Sequence, residues 1–325
     1  MKVLLLGATG LLGHNVLRRL AAEGHETTAI VRRREGLRTL PDATSVVVGN
    51  PLDSSVLSGA AAGCEAIVNC AGATDMSMLH RSDYDPANRD LCRTVVEVME
   101  QQGIKRLVHT STANTIGYGS ATEPADEEAP MEPPFTASLY ATSKRAGEEV
   151  AIEAARRHPD WHVVVLNPGF MLGAWDVKPS SGRMLLAAYR RRLMAAPPGG
   201  KAFVAVDDVA AAAVNALAKG RSGERYIVAC HNMTVKALYE LQAATMGYRQ
   251  RVLTLPAWLV AAAGALGSVA RSLGIRTELS LNNTRQLCVK EYYDGSQAER
   301  ELDIRYTPIE QPIKKFHQWR EQQKR

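Results

Sequence analysis

The chain has 325 residues, 46% hydrophobic and 22% charged, so a soluble globular protein with one large or two moderate domains is the default. Its 39 basic and 34 acidic residues leave a net charge of +5 spread along the chain, which gives no nucleic-acid footprint. The five cysteines (Cys64, Cys70, Cys92, Cys230 and Cys288) form no C-x-x-C pair, and the eight histidines show no ligand spacing. Both facts argue against a disulfide framework or a bound metal and fit a reducing, cytoplasmic setting.

The apolar start, Met1 to Leu6, breaks at Gly7 and is followed by recurring glycines, so it reads as a first β-strand rather than a secretory leader. Gly7-Ala8-Thr9-Gly10-Leu11-Leu12-Gly13 joins this strand, Lys2–Leu6, to a helix expected over Leu11–Glu23. Glycines here let the backbone turn tightly and approach a pyrophosphate, and the helix N-terminus offers free N–H groups and a positive dipole end. A purely structural turn is the plainer reading. A second strand, Glu26–Val31, ends in Arg32-Arg33-Arg34, where an NAD-binding fold would carry a carboxylate for the ribose. The fork of Arg32 suits a 2′-phosphate instead, so NADP(H) is expected ahead of NAD(H). A solvated basic loop is the alternative, and Glu35 blurs the pattern.

Further apolar runs follow at Ser45–Val48, Ala66–Cys70, Arg106–Thr110, His162–Asn167 and Tyr226–Val228. Helical patterns such as Leu91–Gly103 and Ser138–His158 lie between them. This alternation predicts an α/β fold with a doubly wound parallel sheet of the Rossmann type. His109-Thr110-Ser111-Thr112 closes the fifth strand, where hydroxyls face the ligand crevice and can hold an oxygen as it becomes an alkoxide. Tyr118–Thr136 reads as a long loop, either disordered or a mobile edge of a binding site.

Tyr140-Ala141-Thr142-Ser143-Lys144 opens a helix, so the phenol and the ammonium share a face. A free phenol has a pKa of about 10. A neighbouring Lys144 cation is expected to lower it, letting Tyr140 exchange a proton with a carbonyl or an alcohol. The Y-x-x-x-K spacing alone is common by chance, and its place after the hydroxyl cluster gives it weight.

The rhythm breaks after Asn167. Gly169–Gly200 is rich in Pro, Gly and Arg and shows no strand rhythm. A strand-like Lys201–Val206 and a helix Asp208–Lys219 follow, and from Thr234 the pattern is mostly helical. Residues 1–168 with 201–230 are expected to form the dinucleotide-binding domain, and 169–200 with 231–325 a smaller, mostly helical substrate lobe. Phe170, Met171, Trp175, Met184, Leu185 and Trp258 offer apolar surface for a substrate, or ordinary core. Trp258–Leu273 is the nearest approach to a membrane segment; it is too short to span and reads as a buried or lid helix rather than a membrane-surface one.

GATGLLG, VHTSTANTIG, YATSK, LNPGFMLG and FVAVDDVA, in this order, resemble the extended short-chain dehydrogenase/reductase family over nearly the whole chain. The resemblance implies Tyr140 as acid-base, Lys144 as its partner and a ribose contact, Thr112 as catalytic hydroxyl with Ser111 beside it, and Asn88 as the asparagine that steadies the site. It implies cofactor contacts at Gly7, Thr9, Gly10, Leu11, Leu12, Gly13, Arg32, Leu52, Ala71, Gly72, Pro168 and Gly169. Asn50 stands where the family often has an adenine-binding Asp. The segment Asp176–Arg183 and the tail from Tyr293 to Leu302 resemble the dihydroflavonol-reductase-like branch, which includes 3β-hydroxysteroid dehydrogenases. Phe170, Met171 and Arg183 are then candidate substrate contacts, with no metal, and the family commonly dimerises through two helices. The leading activity is reversible hydride transfer between NADP(H) and a ketone or secondary alcohol. A nucleotide-sugar epimerase holding NAD, with Arg183 and Arg190–Arg192 on a diphosphate, is the alternative; a non-catalytic NADP-binding sensor is a third. A dehydratase lacks its carboxylates, because Ala113 and Asn114 follow Thr112.

Overall fold

Apolar runs of four to seven residues with buried side chains on both faces can only be satisfied by a sheet covered twice, and that is what the chain builds. The computed structural model describes residues 1–33, 41 and 44–323; Arg34 and Glu35 of the basic segment lie outside the described residues. The first half runs β1 (Lys2–Leu6), α1 (Leu11–Ala22), β2 (Glu26–Val31), β3 (Thr44–Val48), α2 (Ser54–Ala61), β4 (Ala66–Asn69), α3 (Arg81–Asp85), a π-helical turn at Pro86–Asp90, α4 (Leu91–Gln102), β5 (Arg106–Thr110), α5 (Leu139–Arg157) and β6 (His162–Pro168). The second half runs β7 (Phe170–Leu172), α6 (Gly182–Ala188), β8 (Leu193–Ala196), β9 (Gly200–Ala205), α7 (Val206–Asn215), β10 (Arg225–Val228), β11 (His231–Thr234), α8 (Val235–Thr245), β12 (Arg251–Thr254), α9 (Ala257–Ser272), α10 (Leu281–Gln286), β13 (Lys290–Glu291), α11 (Ser296–Glu301) and α12 (Glu310–Gln322).

The main sheet has seven parallel strands in the order β3-β2-β1-β4-β5-β6-β10. Alternation along β1 divides the core: Val3 and Leu5 pack with Val16, Leu17 and Leu20 of α1 and the alanines of α7, while Leu4 and Leu6 pack with Leu57, Val95, Val98 and Met99 on the other face. The winding reverses at β1, between β2 and β4, and a ligand crevice opens there beyond the strand ends. The turn at that point is sterically specified. Gly7 has φ +81°, and a Cβ on it would lie 2.6 Å from the backbone N of Ala71; one on Gly13 would lie 2.1 Å from the Gly7 carbonyl oxygen.

The second lobe differs from its sequence reading. Gly169–Gly200 does hold strands, β7 and β8, which at three and four residues are too short to show a period. The strand expected at Lys201–Val206 is β9; it pairs with β7, β11 and β13 rather than with the main sheet. β8 and β12 form a separate parallel pair. After α10 the chain returns, and Ala298, Leu302 and Ile304 join the main core. Nor is the loop at Tyr118–Thr136 loose: Gly119 bridges Tyr292, Ala125 bridges Tyr293, and the buried Glu127 carboxylate accepts from Ile227 N at 2.8 Å. Among the described residues no helix is long and apolar enough to cross a membrane.

Because the Gly13 position leaves no room for a side chain against backbone, Gly13→Ala is expected to lower unfolding free energy by about 1–3 kcal/mol in urea titration. An unchanged midpoint and slope would contradict the packing described for this turn.

Candidate active site

The serine at position 138 starts α5, its hydroxyl accepting from Ala141 N at 3.3 Å. Tyr140 and Lys144 therefore leave the first two turns of one helix face. Lys144 is 4% exposed and donates through Nζ to the Thr110 carbonyl oxygen at 2.6 Å, tying α5 to the end of β5. Asn88, on the π-helical turn, makes the second tie. Its Oδ1 accepts from Ala73 N at 2.7 Å, and its Nδ2 donates to Ala73 O at 3.1 Å and to Ser143 Oγ at 2.7 Å. Gly147 lets α5 press against this turn, since a Cβ there would lie 1.9 Å from the Asn88 carbonyl oxygen. The expected cofactor turn, Ala71-Gly72, is thereby brought against the helix: a Cβ on Gly72 would lie 3.4 Å from Lys144 Nζ.

Thr112 is buried at the mouth of β5, where its Oγ1 donates to Asn114 Oδ1 at 3.1 Å. The neighbouring Ser111 Oγ is buried without a hydrogen-bond partner among the described residues. Burial raises the Tyr140 pKa, and the Thr112 hydroxyl beside it, a hydrogen-bond partner for the phenolate, opposes the shift. The sequence reading made Lys144 the group that lowers the Tyr140 pKa. In the structure its ammonium donates to the Thr110 carbonyl, and burial prevails at the phenol, so the shift is upward. Burial also lowers the Lys144 pKa to about 8, with Cys92, Cys70 and Glu148 pulling the other way. Tyr84 lies across the Tyr140 ring, centroids 6.4 Å apart.

A dinucleotide fits the residues beside this group. Gly10 caps α1 with no side-chain hydrogen bond, and Thr9 and Gly10 are exposed, which leaves the first N–H groups at Leu11, Leu12 and Gly13 without a partner among the described residues and able to meet phosphate oxygens. Arg32 and Arg33 stand exposed at the end of β2 without an ion-pair partner among the described residues. Asn50 Oδ1 accepts from Leu52 N at 3.2 Å. Pro168 ends β6, and Gly169 N donates to Val228 O at 3.1 Å, where the chain leaves for the second lobe.

Residues 3–229 match the NAD dependent epimerase/dehydratase family. The chain belongs to this family. It is an NAD(P)-dependent oxidoreductase of the extended short-chain dehydrogenase/reductase type. It is 29% identical to a provisionally named dihydroflavonol 4-reductase of Synechocystis sp., covering 96% of this chain and 92% of the relative. It is 29% identical to the sterol demethylase protein B of Methylococcus capsulatus, covering 94% and 93%. The fold matches the UDP-glucose 4-epimerase of Thermotoga maritima with a TM-score of 0.79 at 17% identity over 100% of each chain.

On this family scaffold the predicted substrate residues are scattered. Phe170 packs edge-on to Phe203 and lies under Lys201 Nζ, 5.7 Å from its ring centre. Met171 packs against the main core. Arg183 pairs with Glu278 at 2.7 Å on the surface, and Arg190 and Arg192 line a surface concavity with Arg249 and Arg251. Leu185 is core; Trp175, at φ +73°, stacks on His14 with centroids 4.3 Å apart, and Trp258 is exposed. The sequence reading missed a carboxylate. Glu291 is buried, receives Asn114 Nδ2 at 3.4 Å and Lys201 Nζ at 2.6 Å, and so connects to Thr112 through Asn114. It lies 177 residues from Asn114, and no local pattern marks it.

Lys144 gives a pH signature. Its folded pKa of about 8 lies below its ordinary 10.5, so between these values the unfolded chain holds the extra proton and stability rises with pH. Unfolding free energy should therefore climb more steeply from about pH 8 to about pH 10 in the unsubstituted protein than in Lys144→Met. Equal slopes in paired urea titrations would refute the shift.

Proposed function

We propose that this enzyme uses NADP(H) to reduce the carbonyl group of an apolar small molecule, or to oxidise the corresponding alcohol. The observation that carries the proposal is geometric: Tyr140 and Lys144 share one face of α5, and Lys144 ties that helix through the Thr110 carbonyl to the end of β5, where the Ser111 and Thr112 hydroxyls are buried. A bound nicotinamide would supply or take up the hydride. The chain's own residues then manage the oxygen. Tyr140 donates to it, Thr112 does so by turning its one proton away from Asn114 Oδ1, and Tyr140 passes its proton as negative charge develops. The Lys144 ammonium, fixed by the Thr110 carbonyl, holds this helix face against the end of β5. Ser111, with its unspent hydroxyl, is a further donor on the same side.

The names of the Synechocystis and Methylococcus relatives, a reductase and a sterol-processing protein, support an apolar substrate. The epimerase alternative called on Arg183 and Arg190–Arg192 for a diphosphate. Arg183 pairs with Glu278, and Arg190 and Arg192 line a separate surface concavity with Arg249 and Arg251, which weakens that reading. Arg32, exposed and unpaired among the described residues, supports NADP(H) through its 2′-phosphate.

Tyr140→Phe should reduce turnover about 10²–10⁴-fold on a carbonyl panel followed by NADPH fluorescence, with cofactor affinity retained. Near-full turnover would sink the mechanism. Arg32→Ala should weaken NADPH binding about 10–100-fold while leaving NADH binding little changed, because only the former loses a charge-assisted pair. Equal losses for both cofactors would remove the 2′-phosphate assignment.

A further inference from the structure

α9 is amphipathic the wrong way round for a buried or lid helix. The residues it buries are Val260 and two glycines: a Cβ on Gly264 would lie 1.9 Å from Thr284 Oγ1, and one on Gly267 2.4 Å from the Leu279 carbonyl oxygen. Its large apolar residues face out. Trp258, Leu266, Val269 and Leu273 are 71%, 75%, 60% and 74% exposed. With the exposed Ala262 they recur at i, i+4, i+8, i+11 and i+15, which is one continuous helical stripe. The stripe extends past both helix ends, to Leu253 on one side and Ile275 on the other, both exposed. Contiguous apolar surface of this kind is uncommon on a protein that meets only water.

Charge frames it. No Asp or Glu occurs from Val177 to Val206 or from Met246 to Thr277. The β8–β12 pair joins these two acid-free stretches, with Arg251 beside Leu193 and Leu253 beside Ala195, all four exposed. Next to them Arg190, Arg192 and Arg249 line the surface concavity. None of these arginines, nor Arg276 beyond the other end of α9, has an ion-pair partner among the described residues. An apolar helix with an exposed tryptophan and unpaired arginines at both ends has the chemistry of a helix that lies in a lipid interface, apolar stripe among acyl chains and arginines among anionic headgroups. A partner protein of ordinary interface composition would not ask for so many cations without a carboxylate.

We propose that this face, α9 with the β8–β12 pair, docks the protein on the surface of an anionic lipid bilayer. The docked face adjoins the site: Arg271, near the C-terminal end of α9, donates to the carbonyl oxygens of Met76 and Met78, on the segment that follows the Ala71–Ala73 turn. Docking is independent of the carbonyl-reductase reading, since binding is measured without turnover.

The test is co-sedimentation of the full chain with phosphatidylcholine vesicles, with and without phosphatidylglycerol, alongside tryptophan emission. Trp258 is the most exposed of the four tryptophans, so its emission should shift to the blue on binding. Binding is expected on the anionic vesicles, weakened by salt. It should fall at least about tenfold in Arg249→Glu/Arg251→Glu and likewise in Trp258→Ser/Leu266→Glu, both at solvent-facing positions that leave thermal unfolding unchanged. Absence of binding to anionic vesicles, or binding indifferent to both variants, overturns the proposal. So does a concentration-dependent dimer that Leu266→Glu dissociates, which would make a second copy the occupant.

Discussion

A single carboxamide holds the two halves of the site in register. Asn88 satisfies both polar groups of Ala73, on the turn after β4, and reaches Ser143 between Tyr140 and Lys144. The π-helical turn that carries it is an irregularity of the kind found where a helix is bent to aim one side chain, and Gly147 clears the space that lets α5 close on it. Remove the carboxamide and the turn after β4 is no longer referenced to the helix that carries Tyr140 and Lys144. Lys144 adds a third strand to the same connection through the Thr110 carbonyl.

Burial then sets the protonation states. Cys70 and Cys92, near Lys144, have pKa values pushed up to about 11 and about 12, and His109 is held well below its ordinary range, so all three are neutral neighbours. Lys144 carries the local positive charge in a poorly hydrated setting, where charges act strongly. Burial acts on the Tyr140 phenol in the same sense, raising its pKa. One environment thus disfavours both ions.

The second lobe serves this centre from a distance. Pro168 and Gly169 carry the chain out of the main sheet into β7, whose partner β9 holds Lys201, and Lys201 in turn meets Glu291 and, through it, Asn114. The lobe is also fastened to the glycine-turn helix, where Asn15 donates to Ala174 O at 3.1 Å and His14 stacks on Trp175. Its outer face, apolar and basic, is shaped by different demands from its inner one. Gly264 and Gly267 inward with Trp258, Leu266, Val269 and Leu273 outward leave most of the apolar surface of α9 away from the protein's own core.

The sequence alone determined the parallel sheet, the glycine turn and the Tyr140–Lys144 face, because each depends on spacing within a strand, a turn or a helix. The period of two in β1 and the fixed four-residue step in α5 are local geometry, readable without the fold. Tertiary structure decided the rest. The short strands β7 and β8 exist because β9 and β12 offer ladders, not through any rhythm of their own. Lys144 turned out to be spent on a backbone carbonyl, and the Tyr140 phenol to be governed by desolvation, which depends on every element packed round it. Glu291 reached Asn114 only because the chain returned across 177 residues. The outward apolar stripe of α9 was visible as composition, but which face met water was fixed by what α10 covered.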